Sequence, residues 1–166
     1  MADLKDSGER RAFGTGAVRD MAEGKGRCDL LPLGQVNELF FNMDTHCYDS
    51  VITHLDAFDR TGRCTPSYLY GALHSLCDKA FNGCMPTMIL ETSIHFEDGA
   101  KKYGEWNWQK GIPARCYLDS AIRHYLKWLR GDQDEPHHRA CAWNLMSMIW
   151  ELDHHPDQSI YEEAQR

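Results

Sequence analysis

The chain has 166 residues, of which 42% are hydrophobic and 26% charged, with a net charge of −7. This composition predicts one soluble globular domain, and the negative charge argues against general affinity for nucleic acid. The chain contains no run of about 18 apolar residues, the length needed to span a membrane. Seven cysteines without a C-x-x-C pair, and no apolar leader after Met1, predict reduced thiols in a cytoplasmic protein.

The first segment, residues 1–26, contains five glycines and many charges but little apolar periodicity. This composition predicts a flexible arm that precedes the folded domain. Lys25 and Arg27 stand beside glycines that would let the backbone approach an anion closely, and Arg19 lies a few residues before them. A basic, solvated tail is the alternative interpretation.

Five amphipathic helices follow in chain order. Apolar residues at three- and four-residue steps predict the first helix over 33–58. Thr65 and Pro66 predict the start of the second, which ends near Phe81. The remaining three are predicted from Pro86 to Tyr103, from Ala114 to Arg130 before a terminating Gly131, and from about Asp134 to the residue before Pro156. No strand is predicted. The fold class is therefore all-α, a bundle of about five helices over 27–156 with a tail at 157–166.

Histidines and charged residues recur at helical spacing on the last three helices. Because such groups are rarely buried unless they are paired or bind metal, they predict a polar site between facing helices. The candidate metal ligands are Glu91, His95, Glu97, Asp119, Asp134, Glu135, His137 and His138. The carboxylates favour Mg²⁺, and the histidines extend the choice to Mn²⁺, Co²⁺ or Fe²⁺. Surface ion pairs such as Asp119 with Arg123, and acidic partners of a helix dipole, remain the alternative.

The loop 105–113 contains two tryptophans, Trp106 and Trp108, on either side of Asn107. An aromatic face in a loop could stack on a nucleobase. A loop held in place by burying its rings is equally consistent with this pattern.

Five stretches resemble a known family. They are TGAVRD (15–20), GKGRCDLLP (24–32), HFEDGAKKYGEWNWQKGIP (95–113), LDSAIRHYLKWLRG (118–131) and DEPHHRACAWN (134–144). Together they resemble the dATP/dGTP diphosphohydrolase N-terminal-type domains of phages and prophages, which are associated with MazG-like pyrophosphohydrolases. Residues 41–85 resemble a variable insertion. The chain lacks the E-E-x-x-E and E-x-x-D signatures of MazG-like enzymes.

The resemblance implies a metal-dependent hydrolase that converts purine (deoxy)nucleoside triphosphates to monophosphate and pyrophosphate in phage nucleotide metabolism, with Mg²⁺ or Mn²⁺ as cofactor. The candidate catalytic residues are Glu97, Asp119, His124 and Glu135. The candidate substrate-binding residues are Arg19, Lys25, Arg27, Lys102, Asn107, Trp108, Arg123, Lys127 and Asn144.

Two other functions remain open from the residues, namely non-catalytic binding of a nucleotide and a purely structural or protein-interaction role. A homo-oligomer is expected, in the host cytoplasm if the protein is phage-encoded. Residues 15–29 are expected to close over the site as a lid.

Overall fold

The computed structural model describes residues 8–21, 25–26, 28–45, 47–61 and 66–156. In this part of the chain two short strands precede six α-helices. The strands are β1 (Arg10–Ala12) and β2 (Val18–Asp20); the helices are α1 (Leu33–Leu39), α2 (Ser50–Arg60), α3 (Ser67–Ala80), α4 (Met85–Tyr103), α5 (Ala114–Arg130) and α6 (His137–His154). The predicted all-α class is confirmed. None of the helices described here has the length and apolarity needed to cross a membrane.

The last three helices form as predicted, and they carry most of the candidate site residues. α5 and α6 pack against each other at the centre, and α4 lies along α6. The inward side of α5 buries Tyr117, Ile122 and Tyr125 completely. Gly131 ends α5 with a φ of 85°, in the left-handed region that favours glycine. The polar residues of α4, α5 and α6 are therefore held on a well-packed apolar base.

The predicted single helix over 33–58 is wrong. α1 ends at Leu39 and continues into a π-helical turn (Phe40–Thr45), and α2 begins only at Ser50. Asp49 caps α2 by accepting a hydrogen bond from the Ile52 N–H, at 3.0 Å. The same buried carboxylate accepts hydrogen bonds from Lys79 (3.2 Å) and Tyr125 (2.8 Å). These contacts with α3 and α5 outweigh the local apolar periodicity. The predicted cap Thr65 lies outside the described residues.

The N-terminal segment contains strands that the sequence did not predict. β1 and β2 pair in antiparallel register, with Ala12 opposite Val18. Gly16, with a φ of 83°, forms part of the turn between them. Ala17 is fully buried in the core, so residues 8–21 pack against the helices. Arg27 and the predicted tail 157–166 lie outside the described residues.

Candidate functional site

A cavity of about 1030 Å³ lies between the β1–β2 hairpin, α4, α5 and the start of α6. Its volume is at the upper end of the range for small-molecule sites. Equal numbers of cationic and acidic residues line it: Arg11, Arg19, Lys25, Lys102, Arg115, Arg123 and Lys127 against Asp20, Asp29, Glu97, Glu105, Asp119, Asp134 and Glu135. The formal charges of the lining thus balance, whereas the whole chain has a net charge of −7.

Most of the residues singled out from the sequence line this cavity. They are Arg19, Lys25, His95, Glu97, Lys102, Asn107, Trp108, Asp119, Arg123, His124, Lys127, Asp134, Glu135 and Asn144. His137 is fully buried beside His124. Glu91 and His138 do not line the cavity; they form a separate cluster with Arg139, in which Glu91 Oε2 lies 3.3 Å from His138 Nε2 and 3.1 Å from Arg139 Nε.

Asn107 and Arg19 contribute to holding the hairpin against the helical domain. The Asn107 amide accepts a hydrogen bond from the Val18 N–H (3.0 Å) and donates one to the Val18 carbonyl (2.9 Å). Arg19 donates to Ser120 Oγ (3.2 Å) and to Asn144 Oδ1 (2.9 Å). Both ends of the Asn107 amide are thus occupied by the backbone of β2.

Asp20 holds β2 against the end of α4. It accepts hydrogen bonds from Lys102 Nζ (2.9 Å) and the Tyr103 hydroxyl (2.8 Å), and Lys25 Nζ lies 3.8 Å away. Burial alone would raise the pKa of Asp20, but these hydrogen bonds outweigh it and the pKa lies below its usual range. Part of the positive charge of Lys102 and Lys25 is therefore balanced within the protein.

Asp119 on α5 has both carboxylate oxygens engaged. Oδ1 accepts from the backbone N–H groups of Cys28 (2.6 Å) and Asp29 (3.4 Å), and Oδ2 accepts from Arg123 Nη1 (2.5 Å). Asp29 in turn pairs with Arg115, at 2.9 Å. Asp119 thus connects α5 to the 3-10 turn Cys28–Leu30, a contact between residues about ninety positions apart.

A compact cluster of histidines and carboxylates lies where α5 meets the start of α6. His124 Nδ1 is 3.0 Å from His137 Nδ1, and each nitrogen is 3.4 Å from Glu135 Oε1. His137 Nε2 is 2.8 Å from Asp134 Oδ1. Burial, and then the nearby Arg123 charge, hold the pKa of His124 well below its ordinary range. The hydrogen bond with His137 lowers the pKa of Asp134 to about 2. These atoms could hold a metal ion.

Aromatic rings form another wall of the cavity. His95 packs against Trp143, and burial lowers the pKa of its imidazole to about 4, so it is neutral at physiological pH. Trp108 packs edge-on against Phe96 and Trp150 and holds the loop in place. Trp106, in contrast, is 62% exposed and lines the cavity. It is the tryptophan of this loop with a ring available for stacking.

Glu97 lines the outer part of the cavity. Its side chain is 64% exposed and pairs with Lys101 one helical turn away, at 2.5 Å. The arrangement is that of a solvated ion pair, and such pairs contribute little to stability.

Several lining residues were not singled out from the sequence, including Arg11, Asp20, Asp29, Arg115 and Ser120. Arg11 donates to Cys116 Sγ at 2.9 Å, and Ser120 accepts from both Arg19 and Arg123. Asp20 and Asp29 lie in the stretches TGAVRD and GKGRCDLLP. The resemblance of these stretches to the family was the signal that could have identified both residues.

A buried acid on α6 predicts an unusual pH dependence. Glu151 is fully buried, and neither carboxylate oxygen has a hydrogen-bond partner among the described residues. Burial raises its pKa from 4.5 to about 7. The folded protein therefore holds this proton more tightly than the unfolded chain does. For this group, the free energy of unfolding is highest below the unfolded pKa and falls by about 3 kcal/mol as the pH rises through the folded pKa.

We expect Glu151→Gln to remove this dependence. The variant should be more stable than the parent protein above about pH 8 and of similar stability below about pH 4.5, as measured by urea unfolding across the range. Glu38→Gln, on the exposed side of α1, is the matched control. If the free energy of unfolding of the parent protein and of Glu151→Gln changed with pH in parallel, a raised pKa of Glu151 would be contradicted.

The structure is therefore that of an all-α protein with a large cavity lined by charged and aromatic side chains. The family model for the N-terminal domain of dATP/dGTP diphosphohydrolases matches residues 73–159, which is more than half of the chain. The chain belongs to this family, and the resemblance found in the sequence is confirmed. Neither the search of curated proteins nor the search of solved structures found a match.

Proposed function

We propose that this protein hydrolyses purine (deoxy)nucleoside triphosphates to the monophosphate and pyrophosphate in a reaction that depends on a divalent metal ion. The observation that carries the proposal is the cavity itself. It brings cationic side chains, an exposed indole and a histidine–carboxylate cluster together in one space large enough for a nucleotide. The name of the family supports the diphosphohydrolase chemistry, and a phage-encoded enzyme of this kind would act on the nucleotide pool of its host.

The cationic side chains of α5 are suited to bind the phosphates. Arg123 and Lys127 are one turn apart on α5 and line the cavity beside the histidine–carboxylate cluster. A planar guanidinium such as that of Arg123 donates two parallel hydrogen bonds to phosphate oxygens. Lys127 Nζ lies 3.3 Å from Asp134, so its charge stands next to the cluster. The triphosphate would therefore be held with its reacting phosphorus near Glu135.

The cluster fits a divalent ion because imidazole nitrogens and a carboxylate oxygen converge within 4.8 Å of one another. When bound, such an ion would neutralise phosphate charge and lower the pKa of a coordinated water. Asp134 would keep the His137 ring in place through the contact with Nε2. His95, which is neutral at physiological pH, can exchange hydrogen bonds with a ligand without adding charge.

A second candidate function is nucleotide binding without hydrolysis. It is favoured by the state of two candidate catalytic residues. Asp119 has both oxygens engaged within the protein, and Glu97 is a largely exposed partner of Lys101. A cavity with these properties could sequester or sense a nucleotide.

The two candidate functions share the binding of a nucleotide and differ in whether the bound nucleotide is hydrolysed. We expect dATP and dGTP to bind more tightly than dCTP and dTTP, as measured by calorimetry, and to be hydrolysed with Mn²⁺ or Mg²⁺ but not with EDTA. Binding without any product would favour sequestration. Absence of both binding and product would reject a nucleotide function.

The base is expected to stack on Trp106. Replacing Trp106 with alanine should weaken purine nucleotide binding by about 1–3 kcal/mol, the usual contribution of one base–aromatic stack. The melting temperature should hardly change, because the ring is already 62% exposed. Tyr70→Ala, which removes another exposed ring on α3, is the control. Equal affinities for the Trp106→Ala variant and the parent protein, measured by calorimetry, would rule out stacking at this position.

We also propose that the protein forms a homo-oligomer. Three apolar side chains at the start of α4 are exposed, namely Met85, Ile89 and Leu90, with exposures of 38%, 53% and 69%. Covering them in a symmetric dimer would remove apolar surface from water. Light scattering at micromolar concentration should give the mass of an oligomer, and a monomer mass would refute this proposal.

A further inference from the structure

Three donor atoms form a small triangle beside the cavity. The separations are 3.0 Å between the two Nδ1 atoms of His124 and His137, and 3.4 Å from each of them to Glu135 Oε1. Two ligands at about 2.0–2.2 Å from one ion are about 3.0–3.5 Å apart when the coordination angle is between octahedral and tetrahedral. The three atoms therefore already have the separations of ligands on one face of a coordination shell.

Asp134 determines which nitrogen of His137 points into the triangle. A carboxylate accepts hydrogen bonds and does not donate them, so the 2.8 Å contact places the proton of His137 on Nε2. Nδ1 is then the ring nitrogen that faces His124 and Glu135. A carboxylate behind a histidine in this way is the usual arrangement that orients a metal-binding imidazole.

The three ligand atoms are largely shielded from bulk water. The His137 side chain is fully buried, and those of Glu135 and His124 are 11% and 16% exposed. A cation would be a common partner for all three atoms.

The cluster is also open on one side. His124, Asp134 and Glu135 line the cavity, so the remaining coordination positions would face a ligand or water. Three protein ligands with open positions are typical of catalytic metal sites, whereas structural sites are closed.

We propose that His124 Nδ1, His137 Nδ1 and Glu135 Oε1 bind one divalent first-row transition ion in preference to Mg²⁺, with Asp134 as a positioning residue. Imidazole suits ions such as Co²⁺, Fe²⁺ and Zn²⁺, whereas Mg²⁺ is held by oxygen ligands and retains several waters. The inference does not depend on hydrolysis, because the binding of the ion is measured without nucleotide.

The test is a titration of the metal-stripped full chain with Co²⁺, followed by visible absorption and by calorimetry. We expect one Co²⁺ per chain, with d–d bands stronger than those of the aqueous ion, and no displacement by a large excess of Mg²⁺. His124→Ala and Glu135→Gln should abolish the bands. Asp134→Asn should keep them but weaken binding by about 10–100-fold.

Two control variants separate this site from other metal binding. Asp132→Asn is the same change two residues from Asp134, and it tests a neighbouring group formed by Asp132, Asp134 and His137. His74→Ala removes an exposed imidazole on α3. Neither should change the affinity for Co²⁺, and thermal melts should show that every variant is folded. The proposal is overturned if the bands persist in folded His124→Ala or Glu135→Gln, if Asp132→Asn weakens binding as much as Asp134→Asn, or if Mg²⁺ displaces Co²⁺. Should His124→Ala fail to fold, the two milder variants, Glu135→Gln and Asp134→Asn, decide.

Discussion

Glu135→Gln is expected to lower the metal-dependent hydrolysis of purine triphosphates by about 10²–10³-fold, or about 3–4 kcal/mol in transition-state free energy. Glutamine keeps the shape of the side chain but removes the charge that lies 3.4 Å from both His124 and His137. The amide can also turn its NH₂ group towards those nitrogens, which would oppose the binding of a cation.

The measurement is kcat/KM at saturating Mn²⁺, with thermal melts as the check on folding. Glu38→Gln, an exposed acid on α1, is the control and should keep the activity of the parent protein. Activity of folded Glu135→Gln within a few-fold of that of the parent would remove Glu135 from the reaction.

Asp119→Asn is expected to destabilise the fold by about 3 kcal/mol, the usual cost of removing one partner of a buried ion pair. In the parent protein the carboxylate accepts from Arg123 and from the backbone of Cys28. The Asp119 and Arg123 side chains are only 9% and 15% exposed, so the variant leaves a largely buried guanidinium without its counter-charge. Denaturant unfolding should show the loss, and the turn Cys28–Leu30 should exchange its amide protons faster.

A double variant tests the origin of this effect. Asp119→Asn combined with Arg123→Met removes the uncompensated charge, so it should recover part of the stability lost in the single variant. It should not recover nucleotide binding, because Arg123 is expected to contact phosphate. An Asp119→Asn variant with full stability but no turnover would instead assign this residue to catalysis, the role predicted for it from the sequence.

The boundaries of α3 to α6 could be predicted because local signals determine them. Pro86 stands at the start of α4 and Gly131 ends α5, and both act through their own backbone preferences. The break after α1 could not be predicted in this way. It depends on Asp49, whose partners Lys79 and Tyr125 are 30 and 76 residues away along the chain. Apolar periodicity contains no information about such partners.

The candidate site was predictable in its residue types but not in its pairings. Histidines and carboxylates at helical spacing indicated that three helices share a polar region, and the cavity contains most of them. The sequence could not show that Glu91 pairs with Arg139 outside that cavity. Nor could it place the hairpin, since Arg19 reaches Ser120 and Asn144 across 101 and 125 residues. The lid function expected for residues 15–29 stays a prediction.

The position of the bond that is cleaved can be read from the fate of the water oxygen during hydrolysis of dATP and dGTP. The reaction is run in oxygen-18 water with Mn²⁺, and the products are identified by mass spectrometry. We expect equimolar monophosphate and pyrophosphate, with the label in the monophosphate, no product with EDTA, and a rate lowered by about 10²–10³-fold with Glu135→Gln. Release of orthophosphate, or undiminished turnover with EDTA or with the Glu135→Gln variant, would contradict a metal-dependent diphosphohydrolase site in this cavity.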